Sequence, residues 1–367
     1  MKQAKVYFTD FRVKYGTNHE TKLRALMKRA GMDKIDFQDK FVAIKLHFGE
    51  WGNLAFLRPN YARYVADYVR ELGGRPFLTD CNTLYVGSRK NALDHLDTAN
   101  LNGYNPMSTG CQILIADGLK GTDDVEVPVE GGVLCKTAKI GRAIMDADVI
   151  ISLNHFKGHE CTGFGGALKN LGMGSGSRAG KMEMHSAGKP YVSEDLCVGC
   201  GACVKICAHD APLIRNGICD IDHDKCAGCG RCIGICPKDA IQPAHDESFS
   251  NLNAKIAEYA KAVVDGRPNF HINIVNQVSP NCDCHSENDV AIVPDVGMFA
   301  SFDPVALDVA CADAVNRQPV NPLSILRERA GVADYFDAVS PGTDWRTGPE
   351  HAEKIGLGTQ DYELITL

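Results

Sequence analysis

Short apolar runs separated by stretches of helical periodicity dominate the first half of the chain. The runs Ala4–Phe8, Val42–His47, Pro76–Thr79, Gln112–Ala116 and Asp148–Leu153 predict strands. Between them apolar residues recur every three or four positions. The clearest case is Asn60–Leu72, where Tyr61, Tyr64, Val65, Tyr68, Val69 and Leu72 share one face. Gly73-Gly74 then stops that helix, as glycines at helix C-termini do. Strands alternating with helices predict an α/β fold, a mostly parallel sheet flanked by helices. The alternation breaks near residue 190 and resumes near residue 248. Beyond the break, Asn251–Val264 reads as a helix, His271–Val275 as a buried strand, and Val305–Val315 as a helix with Asp303 as its N-cap before Pro304. The expected organisation is an α/β domain in two parts, residues 1–190 and 247–367, with a small α+β module at 191–246 inserted between them. Such an insertion needs only that the two host ends lie close together at the surface.

Composition narrows the class. The 367 residues are 44% hydrophobic and 23% charged, which excludes disordered and collagen-like chains. No run approaches the roughly 20 apolar residues of a membrane helix. The opening MKQAKVYFTDF lacks the apolar core of a signal peptide, so a cytoplasmic protein is expected. A net charge of -7 argues against nucleic acid or an anionic membrane as partner.

Sixteen cysteines change the picture, because nine of them lie between Cys197 and Cys236. In a large chain without a secretion signal, such density points to metal binding rather than a disulfide framework, and to the reducing cytoplasm of an anaerobe. This region is an internal repeat. DLCVGCGACVKICAHDA (Asp195–Ala211) aligns without gaps on DKCAGCGRCIGICPKDA (Asp224–Ala240), with 10 of 17 positions identical and all four cysteines among them. Each copy has the spacing C-x2-C-x2-C-x3-C. Three thiolates from one tight loop can face three corners of an iron–sulfur cubane, while the fourth is carried to the other cluster. Cys197, Cys200, Cys203 and Cys236 are thus expected to hold one [4Fe–4S] cluster, and Cys226, Cys229, Cys232 and Cys207 a second. A zinc ribbon or a disulfide knot is the bland alternative. Cys219 has no place in either set and reads as a small buried residue. Over about 50 residues the module resembles bacterial two-cluster ferredoxins. It departs from them where Ala208 follows Cys207, whereas Pro237 follows Cys236.

Several predicted strands finish in polar groups: Lys45 and His47, Asp80 and Asn82, Asn154 and His155, Asn276 and Gln277. In open parallel sheets ligands bind outside the carboxyl ends of the strands, so these residues outline a pocket. The richest stretch is Asn154–Gly176, where His155, Lys157, His159, Glu160, Cys161 and Lys169 surround Gly163, Gly165 and Gly166. Glycines there would let backbone amides approach an anion or cofactor. A flexible loop with solvated lysines is the plainer alternative, and no phosphate-loop or dinucleotide fingerprint is present. Lys45, His47, Asp80, His155, His159 and Lys169 are the candidate catalytic residues. Cys282-Asp283-Cys284-His285 adds two thiols one residue apart, which could ligate a metal, share a third cluster or form a redox pair, with Cys161, His155 or His159 completing the site. A structural turn with free thiols is the alternative. Cys81, Cys111, Cys135 and Cys311 are isolated and read as apolar fillers.

Taken together, KLHFGE, TDCNTLY, NHFKGHECTGFGGALKNLGMGSG, the cysteine repeats, SPNCDCHS and PDVGMFASFDPVALD resemble the family called domain of unknown function 362, in its ferredoxin-containing form. That resemblance implies an α/β domain interrupted by two cubanes and carries no settled activity. More locally, His159 and Gly163–Lys169 are similar to the lactate-racemase segment that carries a nickel-pincer cofactor on lysine, with Gly165 where that pattern has serine. The leading expectation is an iron–sulfur redox protein whose two clusters exchange electrons with a site in the α/β domain, as an oxidoreductase or redox accessory. One alternative is a ferredoxin-type carrier or metalloenzyme maturation factor that uses the α/β domain for docking. Another is a racemase-like enzyme with structural clusters. The partner is an unidentified redox protein or small-molecule substrate.

Overall fold

Strand β1 (Ala4–Thr9), β2 (Phe41–Lys45), β3 (Arg75–Asp80) and β4 (Ile113–Ile115) open the chain in a computed structural model that describes residues 3–85, 87–185, 189–244, 247–329 and 331–367. Next come a hairpin of β5 (Asp124–Pro128) and β6 (Thr137–Gly141), the long β7 (Val149–His155), and a second hairpin of β8 (Lys157–His159) and β9 (Gly163–Gly165). The cysteine-rich segment holds β10 (Pro190–Val192), β11 (Pro212–Arg215), β12 (Ile218–Ile221) and β13 (Ile241–Pro243). β14 (Asn269–Val275), β15 (Gly297–Ser301) and β16 (Tyr362–Thr366) complete the set.

Eight strands form the central sheet in the order β16-β1-β15-β14-β7-β2-β3-β4. All run the same way except β15, which is antiparallel to both of its neighbours. The sheet is therefore large, mostly parallel and flanked by helices, as the alternation predicts. Among the described residues no helix is long and apolar enough to cross a membrane.

The pleat decides what each face carries. Val42, Ile44, Val149, Ile151, Leu153, Ile272 and Ile274 turn to one side, where they pack with Leu23, Leu26, Val65 and Val69 of helices His19–Ala30 and Pro59–Glu71. The alternate positions begin apolar with Ala43 and Ile150, which join the core beneath helices Ala167–Ser175 and Phe249–Val264. Further along the same face they become Lys45, Ser152, Asn154, His271 and Asn273, all buried. A polar layer thus lies inside the protein toward the strands' carboxyl ends.

In the cysteine-rich segment β10 pairs antiparallel with β13, Pro190 opposite Pro243, so the chain leaves and returns side by side. Residue 246, the expected end of the insert, lies outside the described residues. Helices Ala202–Ile206 and Arg231–Ile235 each follow a glycine of positive φ, Gly201 at 72° and Gly230 at 65°, a conformation that side chains disfavour. Cys203, Cys219, Ile233 and Ile241 share a small apolar core with Leu84 and Met182 from outside the segment.

Candidate functional site

Beyond the carboxyl ends of β2, β3, β7 and β14 lies a cavity of about 340 Å³. Each of these strands is followed by a loop that reaches it: His47 after β2, Asp80 to Tyr85 at and after β3, His155 to Thr162 at and after β7, and Cys284-His285 after β14. Helix Ala167–Ser175 supplies Lys169 and Asn170 to the wall, and helix Arg178–His185 supplies Lys181 and His185. Of the expected catalytic residues, His47, Asp80, His155, His159 and Lys169 line this space.

Lys45 lies just behind the wall, fully buried, with Nζ 2.9 Å from Asp80 and 2.7 Å from Asn170 Oδ1. Burial would raise the Asp80 carboxyl, but the Lys45 ammonium together with His95, His47 and Lys181 holds it well below the usual carboxylate range. The network continues inward. Asn170 donates to Asn154 (2.6 Å), Asn154 to Asn273 (2.8 Å) and Asn273 to Asp308 (2.8 Å). Asp308 accepts the N–H groups of Ala167 (2.7 Å) and Leu168 (2.9 Å), closing the N-terminus of the helix that carries Lys169. Burial raises the Asp308 carboxyl to about 6. The glycines expected near a cofactor divide. Gly166 lies on the cavity wall and packs its backbone on Asp308; Gly165 faces Lys157 and Lys169; Gly163 packs against Trp345 and Thr343, outside the wall.

The Cys282–His285 loop is pinned from several sides. Asp283, wholly buried, accepts from Lys157 Nζ at 2.9 Å and contacts His155 Nδ1 at 3.1 Å, with His47 Nδ1 3.9 Å away. His155 is held at its other nitrogen by the Asn276 carbonyl, 2.8 Å. Cys282 Sγ accepts from Lys169 Nζ (3.0 Å) and from the Cys284 N–H (3.4 Å). Burial pushes the Cys282 thiol up, but the hydrogen bond with Cys284 and the charges of Lys169, Lys157 and His159 hold it well below the usual thiol range. The bond with Cys282, and burial, push Cys284 the other way. Glu160 Oε1 contacts His285 Nε2 at 2.8 Å, and His159 Nδ1 accepts the N–H groups of Cys161 (3.0 Å) and Thr162 (3.3 Å). His159, Cys282 and Cys284 bring one potential ligand atom each to within 4.8 Å of one another, and so do two overlapping groups that include Glu160. These groups could hold a metal ion.

Two smaller cavities lie in the cysteine-rich segment. Cys197, Cys200, Cys203 and Cys236 line one, and Cys207, Cys226, Cys229 and Cys232 line the other. Cys219 also reaches the first cavity, with its thiol 3.5 Å from that of Cys203 and its N–H 3.3 Å from Cys197 Sγ. A further cavity of about 500 Å³ runs between this segment and the α/β sheet, with Ile233, Asp239 and Ile241 on one side and Tyr85, Cys284 and His285 on the other.

Spacing in the sequence left other residues of the site unflagged. Arg89, fully buried, bridges Glu50 (2.8 Å), His47 (2.8 Å) and the Cys284 carbonyl (3.2 Å). Burial and the Arg89 charge depress His47 to about 4. Cys81 lines the cavity, whereas Cys111, Cys135 and Cys311 are buried away from it. Asn82 bonds Asp117 (2.8 Å) and Asp303 caps its own helix through Val305 and Ala306, so neither meets the cavity.

The family model described as "Domain of unknown function (DUF362)" matches residues 42–313, and the chain belongs to that family. A search of curated proteins finds no match. Among solved structures, the lactate racemase apoprotein from Thermoanaerobacterium thermosaccharolyticum is 11% identical, with a TM-score of 0.35 over 75% of this chain and 51% of that one. A protein from Thermotoga maritima is 13% identical, with a TM-score of 0.37 over 83% of this chain and 60% of that one. The chain thus spans about half to three fifths of the structures it matches, and at these scores neither likeness bears on chemistry.

Proposed function

We propose that the chain is an iron–sulfur redox protein, an oxidoreductase or redox accessory, in which two [4Fe–4S] clusters serve a site in the α/β domain. The observation that carries this reading is the shared wall. Cys284 and His285 stand both on the internal cavity and on the larger one whose opposite side is the cysteine-rich segment. In support of the clusters, the eight thiols of the repeats line two cavities in sets of four, Cys219 joining the first, and each set takes three from one repeat and the fourth from the other, the arrangement that the crossed ligation of two-cluster ferredoxins requires. Such clusters, when bound, exchange electrons one at a time. Cys197, Cys200, Cys203 and Cys236 would hold one; Cys226, Cys229, Cys232 and Cys207 the other. Residues 191–246 then act as an inserted ferredoxin-like module.

The remaining side chains fix the module against its host. Leu84 and Met182 pack on Ile233 and Ile241, and Lys90 pairs with Asp239. Arg178, almost fully buried, lies against Gly230 and Gly234, where any added Cβ would strike it. In the cavity, buried Lys157, half-buried Lys169 and the histidines at positions 47, 155 and 159 can orient a small polar substrate and move protons. The test is coulometric titration of anaerobically prepared protein. Uptake of about two electrons per chain into cluster signals, one per cubane, supports the reading. Protein that takes up none, with its cysteines bound to zinc or paired in disulfides, overturns it.

A further inference from the structure

We propose that His159, Cys282 and Cys284 bind one divalent metal ion, with a fourth position open to the cavity for an anionic oxygen ligand. This deepens the redox reading by naming the centre on the α/β side, and rests on that reading only for the role of the centre, not for its existence. The three ligand atoms already lie within 4.8 Å of one another. Around a tetrahedral ion with metal–sulfur bonds of about 2.3 Å, two sulfurs stand about 3.8 Å apart, so loading needs a closure of roughly 1 Å at most. Ligands of a cubane occupy separate corners and sit farther apart than ligands sharing one ion, so the spacing favours a single ion.

The scaffold is the one such a site needs. The two ligand loops follow β7 and β14, which are paired neighbours with His155 opposite Ile274. Asp283, between the two cysteines, is fixed by Lys157 and His155, so its backbone and both flanking thiols have little freedom. Lys169 donates to Cys282 Sγ, the kind of outer contact that orients a metal thiolate. Two sulfurs and one imidazole suit a borderline-soft ion such as zinc or iron(II), and three protein ligands leave a position for substrate. On loading, His159 gives up the hydrogen bonds that Nδ1 accepts from the Cys161 and Thr162 N–H groups. Either it ligates through that nitrogen, or the tautomer that frees Nε2 places a proton there.

His159 and Cys284 line the cavity while Cys282 lies behind them, so the ion sits in the wall and its open side faces inward. Of the cations on the same wall, Lys157 is paired with Asp283 and Arg89 with Glu50, whereas among the described residues Lys169 and Lys181 form no ion pair with a carboxylate. Two thiolate ligands balance a divalent ion, so these two ammonium groups are what selects an anion.

The test uses the full anaerobic protein equilibrated with zinc, with zinc and iron counted separately and the zinc environment read by X-ray absorption. The expected result is about one zinc per chain bearing two sulfurs and lighter atoms, with one further oxygen on addition of oxalate. Zinc falls at least tenfold in His159→Gln and in the Cys282→Ser/Cys284→Ser double variant, while iron content and circular dichroism stay unchanged. His159→Gln leaves the cysteine loop itself unchanged, so it keeps the test decisive if the double variant misfolds. Zinc that persists in His159→Gln, zinc bound by four sulfurs, no zinc uptake, or a loss of about four irons from the double variant would each overturn the proposal. Iron and cluster signals are read independently, so a failure of the cluster reading shows itself separately.

Discussion

Asp283→Asn tests whether the Cys282–His285 loop is held by charge. The substitution keeps size and shape but removes the negative charge that faces Lys157 at 2.9 Å and His155 at 3.1 Å. Both partners of the Lys157 pair are buried, with side-chain exposures of 7% and 0%. Breaking a buried pair by removing one partner leaves the other charge uncompensated, which typically costs about 3–5 kcal/mol. An exposed pair provides the scale: Asp123→Asn removes the Arg142 contact, whose partners are 57% and 49% exposed, and is expected to cost less than about 1 kcal/mol. Urea unfolding followed by circular dichroism, on samples of equal metal content, measures both. Adding Lys157→Met to Asp283→Asn removes the stranded charge and should recover a large part of the loss. If Asp283→Asn destabilises no more than Asp123→Asn, or if the double variant is worse than the single, the loop is not held in this way.

Cys236→Ser should perturb the cluster ligated by Cys197, Cys200 and Cys203, whereas Cys207→Ser should perturb the other; paramagnetic spectra of the reduced protein decide, and effects confined to the mutated repeat's own three cysteines would contradict the pairing. Glu258 accepts the N–H groups of Leu134 (3.0 Å), Cys135 (2.6 Å) and Val133 (2.7 Å) and contacts His351 at 2.8 Å. Although burial opposes it, these contacts hold its carboxyl below the ordinary value, so its stabilisation is present above about pH 4.3 and disappears as pH falls through the lowered pKa. Glu258→Gln should therefore cost about 1–3 kcal/mol at neutral pH, with the gap to wild type closing in acid; a gap that does not vary with pH would count against it. Replacing residues 191–246 by a short linker should leave a folded α/β sheet by circular dichroism without cubane absorption, since Pro190 and Pro243 already lie side by side; an unfolded chain at every linker length would mean that the core shared with Leu84 and Met182 is essential.

Strands buried on both faces were legible because burial leaves a plain apolar run. Val149 to Leu153 is such a run but for Ser152, and Ile272 to Val275 but for Asn273, and the structure places them at adjacent positions in the sheet. β15 lacks a strand signature in the sequence. Its five residues GMFAS are all buried, show no alternation, and begin at Gly297 with φ 157°. The helix His19–Ala30 carries a readable stripe of Leu23, Leu26, Met27 and Ala30, but lies in a polar stretch that conceals it. At the site, chemistry-bearing residues were visible by type and by their position after strand ends. Their pairings were not, because Lys157 meets Asp283 and Lys45 meets Asn170 only when β2, β7 and β14 align in the sheet. Arg89 carries no signal of spacing or periodicity, and its place between Glu50 and His47 follows from the meeting of the loop after β3 with the loop after β2.

The central claim is that the two sets of four cysteines hold redox-active clusters beside the cavity. The most direct measurement is iron and acid-labile sulfide per chain in anaerobically isolated protein, with paramagnetic resonance before and after dithionite. The account predicts about 8 irons and 8 sulfides, silent when oxidised and giving cubane signals when reduced. Protein isolated without oxygen that contains zinc and no sulfide, or iron that dithionite does not reduce, would contradict it.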